Sequence, residues 1–448
     1  MPHNLPALTQ SLLDAAKKAG AQAADAVAMA GDSQSIEVRA GKLEHAERAE
    51  GVDIGLRVLI GHRQACVSAS DIRPETISAM AERAVAMARE APEDPYCGLA
   101  DPSQLARLWD AAALELADPA DAPSSADLQI QALEAEAAAL AVKGVAQTQS
   151  AGAGYGKSTF HMAMSNGFSG GFAHTSSSVS CVAITGEGLE MEREYAGEGR
   201  TFAADMPIAR EIGQLAGERA VARFKPRRPP TGAFPVLYDE RISSGLIGHL
   251  VGAINGAAIT RGSSWLKDAM GEQVLAVGLS IVEDPTRKRI GGSRPFDGEG
   301  LPVATRHLVK DGILQSWTLD LATARQLGLQ STGNASRGTS SPPSPGAGNL
   351  ELTQGNKTKA DLLADMGTGL LITSLIGSSI NPTTGDYSRG ASGFWVENGQ
   401  ITHPVNECTI AGNLRDMLKR IIPANDARAH LSRVVPSLLV EGLMLAGA

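Results

Sequence analysis

The sequence predicts an α+β protein: an N-terminal α/β region of one or two small domains, then a β-rich C-terminal domain with few helices. Three observations predict it. Helical and strand periodicities interleave over the first half of the chain. A proline-rich basic stretch, Lys225-Pro226-Arg227-Arg228-Pro229-Pro230, then reads as a solvated linker. Beyond it, hairpin turn signals recur at Asp311-Gly312 and Asn398-Gly399, each between apolar runs. At 448 residues the chain exceeds one ordinary core, and the texture divides it into 1–105, 106–225 and 231–448.

Leu5, Leu8, Leu12, Leu13 and Ala16 share one helical face, which predicts a helix over 5–19. Ala24–Ala30, Ser35–Arg39 and Val52–Ile60 read as strands. Gly61-His62 suits a tight turn, and Gln64–Ser68 forms the return strand. Pro74 opens a second helix at a favoured first-turn position, with Ile77, Met80, Ala84 and Met87 on its buried face. Together these make an α-β-β-α unit ending near Pro92. Residues 93–125, rich in Asp, Pro and Ala, read as a connection with a short helix. A helix is expected over 127–142, alternating strands over 146–195 with a turn at Asn166-Gly167, and a helix over 207–224. After the linker come a strand at Phe234–Tyr238 and a helix at Arg241–Ala258. Further strands are expected at Leu370–Leu375, Gly393–Glu397, Gln400–Val405 and Leu438–Met444.

Several function classes are disfavoured at once. A net charge of -9 offers no basic footprint for nucleic acid. No apolar run reaches the roughly 20 residues that span a bilayer, and Met1-Pro2-His3-Asn4 opens no signal peptide, so a soluble cytoplasmic protein is expected. Cys66, Cys97, Cys181 and Cys408 are far apart and read as reduced, mostly buried thiols. Ala151–Ser158 nearly spells a phosphate-binding loop. It leads into an alternating strand, however, and not into the helix whose amides would hold phosphate, so it reads as a Gly-rich loop before a hairpin. Ser169, in Gly167–Gly171, falls within a hairpin and lacks the strand-to-helix turn of a serine nucleophile. His249 lies beside Leu250 and Val251 in an apolar helix and reads as a core or interface histidine.

A series of blocks then runs in one order: Ser244–Gly256, Gly271–Gln273, Asp284-Pro285, Pro295–Gly300, Ser331–Ala335, Asn381–Asn398 (NPTTGDYSRGASGFWVEN) and Thr409–Leu414. Glu192–Tyr195 and Asp94-Pro95 precede them. This order resembles the TldD/PmbA family over nearly the whole chain. The family's TldD branch carries a His-Glu-x-x-x-His helix that binds zinc, completed by a cysteine near the chain end. Alignment through Leu246, Ile247, Val251 and Gly252 places Gly248 and Ala253 where that branch has its histidines, and His249 where it has its glutamate. Neither Gly nor Ala can ligate a metal, and the last cysteine is Cys408. The chain therefore resembles the PmbA (TldE) branch.

That resemblance implies the non-metal-binding subunit of a heteromeric metallopeptidase that cleaves unfolded peptides, with roles in proteolysis and peptide maturation. No catalytic residue and no metal ligand are expected in this chain. Zinc is expected in a TldD-type partner, and the sequence leaves open whether the isolated chain forms a homodimer. The β-rich domain would hold extended peptide by strand addition. Thr383–Gly393, with Thr384, Asp386, Ser388 and Arg389, reads either as a loop lining the peptide channel or as a structural turn. Two other readings stay open: a stand-alone metallopeptidase using His249, Asp239 or Glu240, and a non-enzymatic regulatory binding protein. On the helix at 241–258, Leu246, Leu250 and Ile254 form an apolar stripe. Gly245, Gly248, Gly252, Ala253 and Gly256 form a small-residue face suited to close approach by a partner.

Overall fold

A computed structural model describes residues 4–447. Its N-terminal half is a single antiparallel sheet, in the order β3-β2-β1-β4-β5-β6, with four helices on one face. In chain order these elements are α1 (Leu5–Ala19), β1 (Ala23–Arg39), β2 (Lys42–Ile60), β3 (Arg63–Ala69), α2 (Pro74–Glu90), α3 (Ser125–Ala141), β4 (Val145–Met164), β5 (Ser169–Thr185), β6 (Glu192–Arg200) and α4 (Ala209–Ala222). The segments 1–105 and 106–225 share this sheet, because β1 pairs with β2 on one side and β4 on the other.

Alternation explains which face is covered. Ala24, Ala26 and Ala28 of β1 and Ile54, Leu56 and Val58 of β2 meet Leu12, Ala16, Ile77, Met80 and Ala84 of α1 and α2. Farther along, Ile36, Val38, Ala151 and Val179 meet Leu128, Ala132, Ala135, Ile212 and Ala216 of α3 and α4. These two helices pack backbone to backbone. A Cβ on Gly213 would lie 1.9 Å from the Ala135 carbonyl oxygen, so only glycine fits there.

Four expectations are corrected here. Ala24–Ala30 and Ser35–Arg39 belong to one continuous strand, because the polar residues between them still pair with β2 and β4. The Gly-rich run Ala151–Ser158 lies inside β4, where β1 and β5 flank it and supply the hydrogen bonds. Residues 93–124 contain no helix; Ala106, Leu114 and Leu116 are buried one at a time between turns. The basic residues of the linker are exposed, yet the linker is pinned to the C-terminal domain. The Arg227 amide donates to the Pro404 carbonyl at 3.0 Å, and Arg228 pairs with Glu407 at 2.6 Å.

The C-terminal half is built on β7 (Gly232–Tyr238), followed by α5 (Glu240–Ala253) and α6 (Gly256–Thr260). The expected single helix over 241–258 breaks at Ile254-Asn255, where the Asn255 side chain accepts from the Ala257 amide at 3.0 Å and caps α6. Next come β8 (Ile281–Glu283), β9 (Arg306–Lys310), β10 (Ile313–Leu314), α7 (Leu321–Leu327), β11 (Ala335–Ser336), β12 (Ser344–Pro345), β13 (Leu350–Leu352) and α8 (Lys359–Met366). The long strands β14 (Gly369–Ile380), β15 (Asp386–Glu397) and β16 (Gln400–Asn413) follow, then α9 (Leu414–Leu418), β17 (Ile422–Pro423), β18 (Arg433–Val434) and β19 (Leu438–Ala446).

The main C-terminal sheet runs β16-β15-β14-β7-β19-β17, and a further pairing of β16 with β19 closes five of these strands into a ring. The Asn398-Gly399 turn has φ of 52° and 75°, as a two-residue hairpin between β15 and β16 requires. Its core joins Val236, Tyr238, Ile372, Tyr387 and Trp395 to Leu246, Leu250 and Ile254 of α5.

The two halves meet along the uncovered face of β1 and β2. Arg57 and Arg337 both reach the buried Asp25 carboxylate, Arg337 at 2.9 Å. The Phe296 ring enters an aromatic group with Trp109, Phe168 and Phe172, at centroid distances of 5.3, 4.9 and 5.7 Å. Among the described residues, no helix is long and apolar enough to cross a membrane.

Candidate functional site

Helix α5 begins at Asp239, whose side chain accepts from the Arg241 amide at 3.2 Å. Its apolar stripe, Leu246, Leu250 and Ile254, is buried as the spacing requires. The opposite stripe carries Gly245, Gly248, His249 and Gly252. A Cβ on Gly245 or Gly252 would meet nothing within 4 Å, so this side is open. Two expected members of the small face are not on it. Ala253 is buried, and a Cβ on Gly256 would lie 2.7 Å from the Thr323 hydroxyl and 2.8 Å from Leu319, because Gly256 starts the separate α6.

Strand β15 supplies the other wall. Its alternation points Tyr387, Arg389, Ala391 and Trp395 to one side, and Tyr387, Ala391 and Trp395 pack in the same core as α5. The Tyr387 ring stands edge-on to His249 at 5.8 Å, and its hydroxyl lies 3.5 Å from that of the fully buried Tyr238. Burial raises the pKa of both phenols, so both keep their protons. Burial, and then the nearby Arg389 charge, push His249 below the usual histidine value, so the ring is neutral at pH 7.

Arg389 is the unusual group. It is half-buried, its Nε is enclosed, and its side chain has no hydrogen bond or carboxylate partner among the described residues. Arg433 lies over Gly248, its Nη1 3.0 Å from where a Cβ would sit, and its side chain likewise has no partner among the described residues.

The remaining expected site residues separate from this one. The stretch expected as a loop is mostly strand: only residues 382–384 form the turn, and β15 starts at Asp386. There Thr384 donates to Asp386 at 2.6 Å, and Asn413 donates to Asp386 at 3.0 Å, so these two residues tie the turn to the end of β16. Ser388 falls on the face of β15 opposite Arg389 and pairs across the sheet with Ser379. Of the four, Arg389 alone lies beside α5.

Asp239, Glu240 and His249, the candidate metal ligands, do not converge on one point. Asp239 is held by Arg241 at 2.8 Å and by Lys359; burial opposes its charge, but these cations outweigh burial and keep its pKa low. Glu240 pairs with Arg428 at 2.7 Å. Both carboxylates lie at the start of α5, about 14 Å along the axis from His249. His249 has Gly248 beside it, Ala253 beyond it and a cation facing it. Among the described residues, no cluster of three His, Cys, Asp or Glu side chains could hold a metal ion. Burial pushes Cys181 up to about 12 and Cys408 up to about 11, which leaves both as inert thiols.

A groove of about 880 Å³ lies between the sheet and the C-terminal domain, floored by Gly31, Gly51, Gly156, Ser176 and Ser178. Two of its cations are already paired: Arg200 with Glu198 at 2.7 Å, and Arg289 with Glu115 at 2.7 Å and Asp205 at 3.0 Å.

Sequence reasoning missed the seam residues Asp25, Arg57, Arg337 and Glu299. The available signal was a charge between apolar neighbours, as in Ala24-Asp25-Ala26 and Leu56-Arg57-Val58. Such strands are covered on both faces, and the charge needs a distant partner.

Residues 24–88, 117–224 and 231–447 match, in turn, domain 1, the central domain and the C-terminal domain described for PmbA/TldA metallopeptidases. The chain is 36% identical to the metalloprotease PmbA of Escherichia coli O157:H7, covering 92% of this chain and 90% of that one. It is 35% identical to a metalloprotease PmbA homolog of Haemophilus influenzae, covering 97% and 94%. A solved structure described as a proposed modulator of DNA gyrase, from Bacteroides thetaiotaomicron, superposes with a TM-score of 0.90 at 26% identity, over 99% and 98% of the two chains. TldE from Thermococcus kodakarensis, at 18% identity, shares the fold with a TM-score of 0.84 over 98% and 100%. With all three domains matched in order and identity above one third across most of its length, the chain belongs to the PmbA/TldD metallopeptidase family.

Proposed function

We propose that this chain is the subunit of a TldD/TldE-type peptidase that binds no metal and helps hold an extended peptide, while a TldD-type partner supplies the zinc. The observation that carries this reading is the composition of the α5 site. Gly248 and Ala253 stand at the positions matched to zinc ligands, and Arg389 brings a positive charge against the one histidine. A second cation beside that guanidinium would be repelled. The open stripe of Gly245 and Gly252 leaves room for another chain to approach α5. The net charge of -9 weighs against a direct grip on DNA.

The test is to measure zinc content and peptide hydrolysis for this chain alone, then mixed with a TldD-type partner. Without the partner we expect no stoichiometric zinc and no cleavage of an unfolded peptide; the mixture should cleave. One tightly bound zinc per isolated chain, or cleavage without the partner, would overturn the assignment.

A further inference from the structure

The α5 site is rich in donors and poor in acceptors. Arg389 presents a half-buried guanidinium with no carboxylate among the described residues, the exposed Arg433 presents a second one over Gly248, and His249 is a neutral ring able to donate from one nitrogen. Elsewhere in the chain, buried and half-buried arginines bond either backbone carbonyls, as Arg287 and Arg325 do, or carboxylates. Arg223 lies 3.6 Å from Glu194, Arg241 bonds Asp239 at 2.8 Å, and Arg306 bonds Glu283 at 2.9 Å. A partly buried cation left without a counter-ion carries a desolvation cost that an incoming anion would relieve.

Resting on the peptide-holding reading above, we infer that Arg389, with His249 and Arg433, forms a carboxylate site that receives the C-terminal α-carboxylate of a bound peptide. The planar guanidinium matches a carboxylate in a two-point contact. The empty space over Gly245 and Gly252, one turn to either side of His249, gives the peptide backbone a lane along α5. Tyr387 beneath the His249 ring fixes that ring edge-on and closes the site from below. This would orient a substrate by its end and remain indifferent to its side chains.

The test uses the full chain and a short unstructured peptide labelled at its N-terminus. It is prepared once with a free C-terminal carboxylate and once as the amide, and binding is read by fluorescence anisotropy. A hydrogen-bonded charge pair of this kind corresponds to roughly tenfold in affinity, so the free acid should bind about tenfold more tightly than the amide. Arg389→Gln should bring that ratio close to one, chiefly by weakening the free acid. Arg433→Gln should reduce it part of the way, and Arg389→Lys should keep part of it. Equal binding of acid and amide by the unmodified chain would overturn the carboxylate site and leave the peptide-holding reading standing; this arm needs no variant to fold. A ratio that survives Arg389→Gln would overturn the assignment to Arg389. Displacement by inorganic phosphate where acetate has no effect would reassign the site to a phosphoryl group. If neither peptide binds, alone or with a TldD-type partner, the peptide-holding reading itself falls.

Discussion

At the seam between the two halves, Arg57 and Arg337 are both enclosed and both reach Asp25; on the open side of α5, Arg389 and Arg433 reach no carboxylate among the described residues. The residue type is the same, and the environments set opposite roles. Enclosing an arginine without a counter-charge costs several kcal/mol, so the seam arginines fit only with Asp25 present. The α5 arginines keep contact with solvent, which makes an empty coordination sphere tolerable and leaves their donors free for a ligand. Partnering therefore separates the arginines that hold the fold from those available to bind.

The contrast is sharpest for Asp25→Asn against Arg389→Gln. The first leaves two enclosed guanidiniums facing an amide and should cost about 3–5 kcal/mol. The second removes no existing partner and should stay within about 0.5 kcal/mol. Urea unfolding of both variants decides the matter, and equal losses would erase the distinction.

A smaller version of the comparison exists among the glycines. Gly256→Ala places a methyl against Thr323 and Leu319 and should destabilise by about 1–3 kcal/mol. Gly252→Ala, four residues earlier, meets open space near the end of α5 and should gain up to about 1 kcal/mol from helix propensity. Thermal unfolding that moved in the same direction for both would show that the open stripe is covered.

The smallest expected effect concerns protons at the seam. Burial pushes Asp297 up to about 6, although backbone amides of Glu299, Leu301 and Ala335 donate to it. Burial, then the charges of Asp297 and Asp320, raises Glu299 well above the usual carboxylate range. A carboxyl whose folded pKa is raised stabilises fully below its unfolded value near 4 and loses that contribution as pH rises through the folded value. Glu299→Gln cannot ionise. Relative to the unmodified chain it should gain stability from pH 4 to pH 8, by on the order of 1 kcal/mol. A pH-independent difference in melting temperature would show that Glu299 does not titrate in this window.

Much of this architecture was legible from local pattern. The first helix, the Pro74 helix and the Asn166-Gly167 and Asn398-Gly399 turns follow from periodicity and turn chemistry that act within a few residues. What escaped depends on long-range pairing. Whether Ala151–Ser158 is loop or strand is decided by flanking strands more than a hundred residues apart on one side, Gly31 to Ser158 being one such pair. The α5 site was half legible. His249 and Arg389 were each visible as polar residues in apolar or Gly-rich surroundings, but only the packing of β15 on α5 brings them together. Thr384, Asp386 and Ser388 share a motif with Arg389, yet strand alternation and turn hydrogen bonding send them elsewhere.

The strands of the N-terminal sheet differ greatly in length, and that mismatch has a consequence of its own. β3 pairs with β2 only from Ile54 to Ile60, so from Lys42 to Asp53 the outer side of β2 has no neighbouring strand among the described residues. A bare border of that length is a template on which another molecule of the same kind could stack, which is how sheets grow into aggregates. Lys42, Glu44, Glu47, Arg48 and Glu50 lie along it, all exposed. Their hydration shells would have to be stripped for a stranger's strand to dock, so this margin works as a sentry against polymerisation while the paired side of the same strand builds the fold.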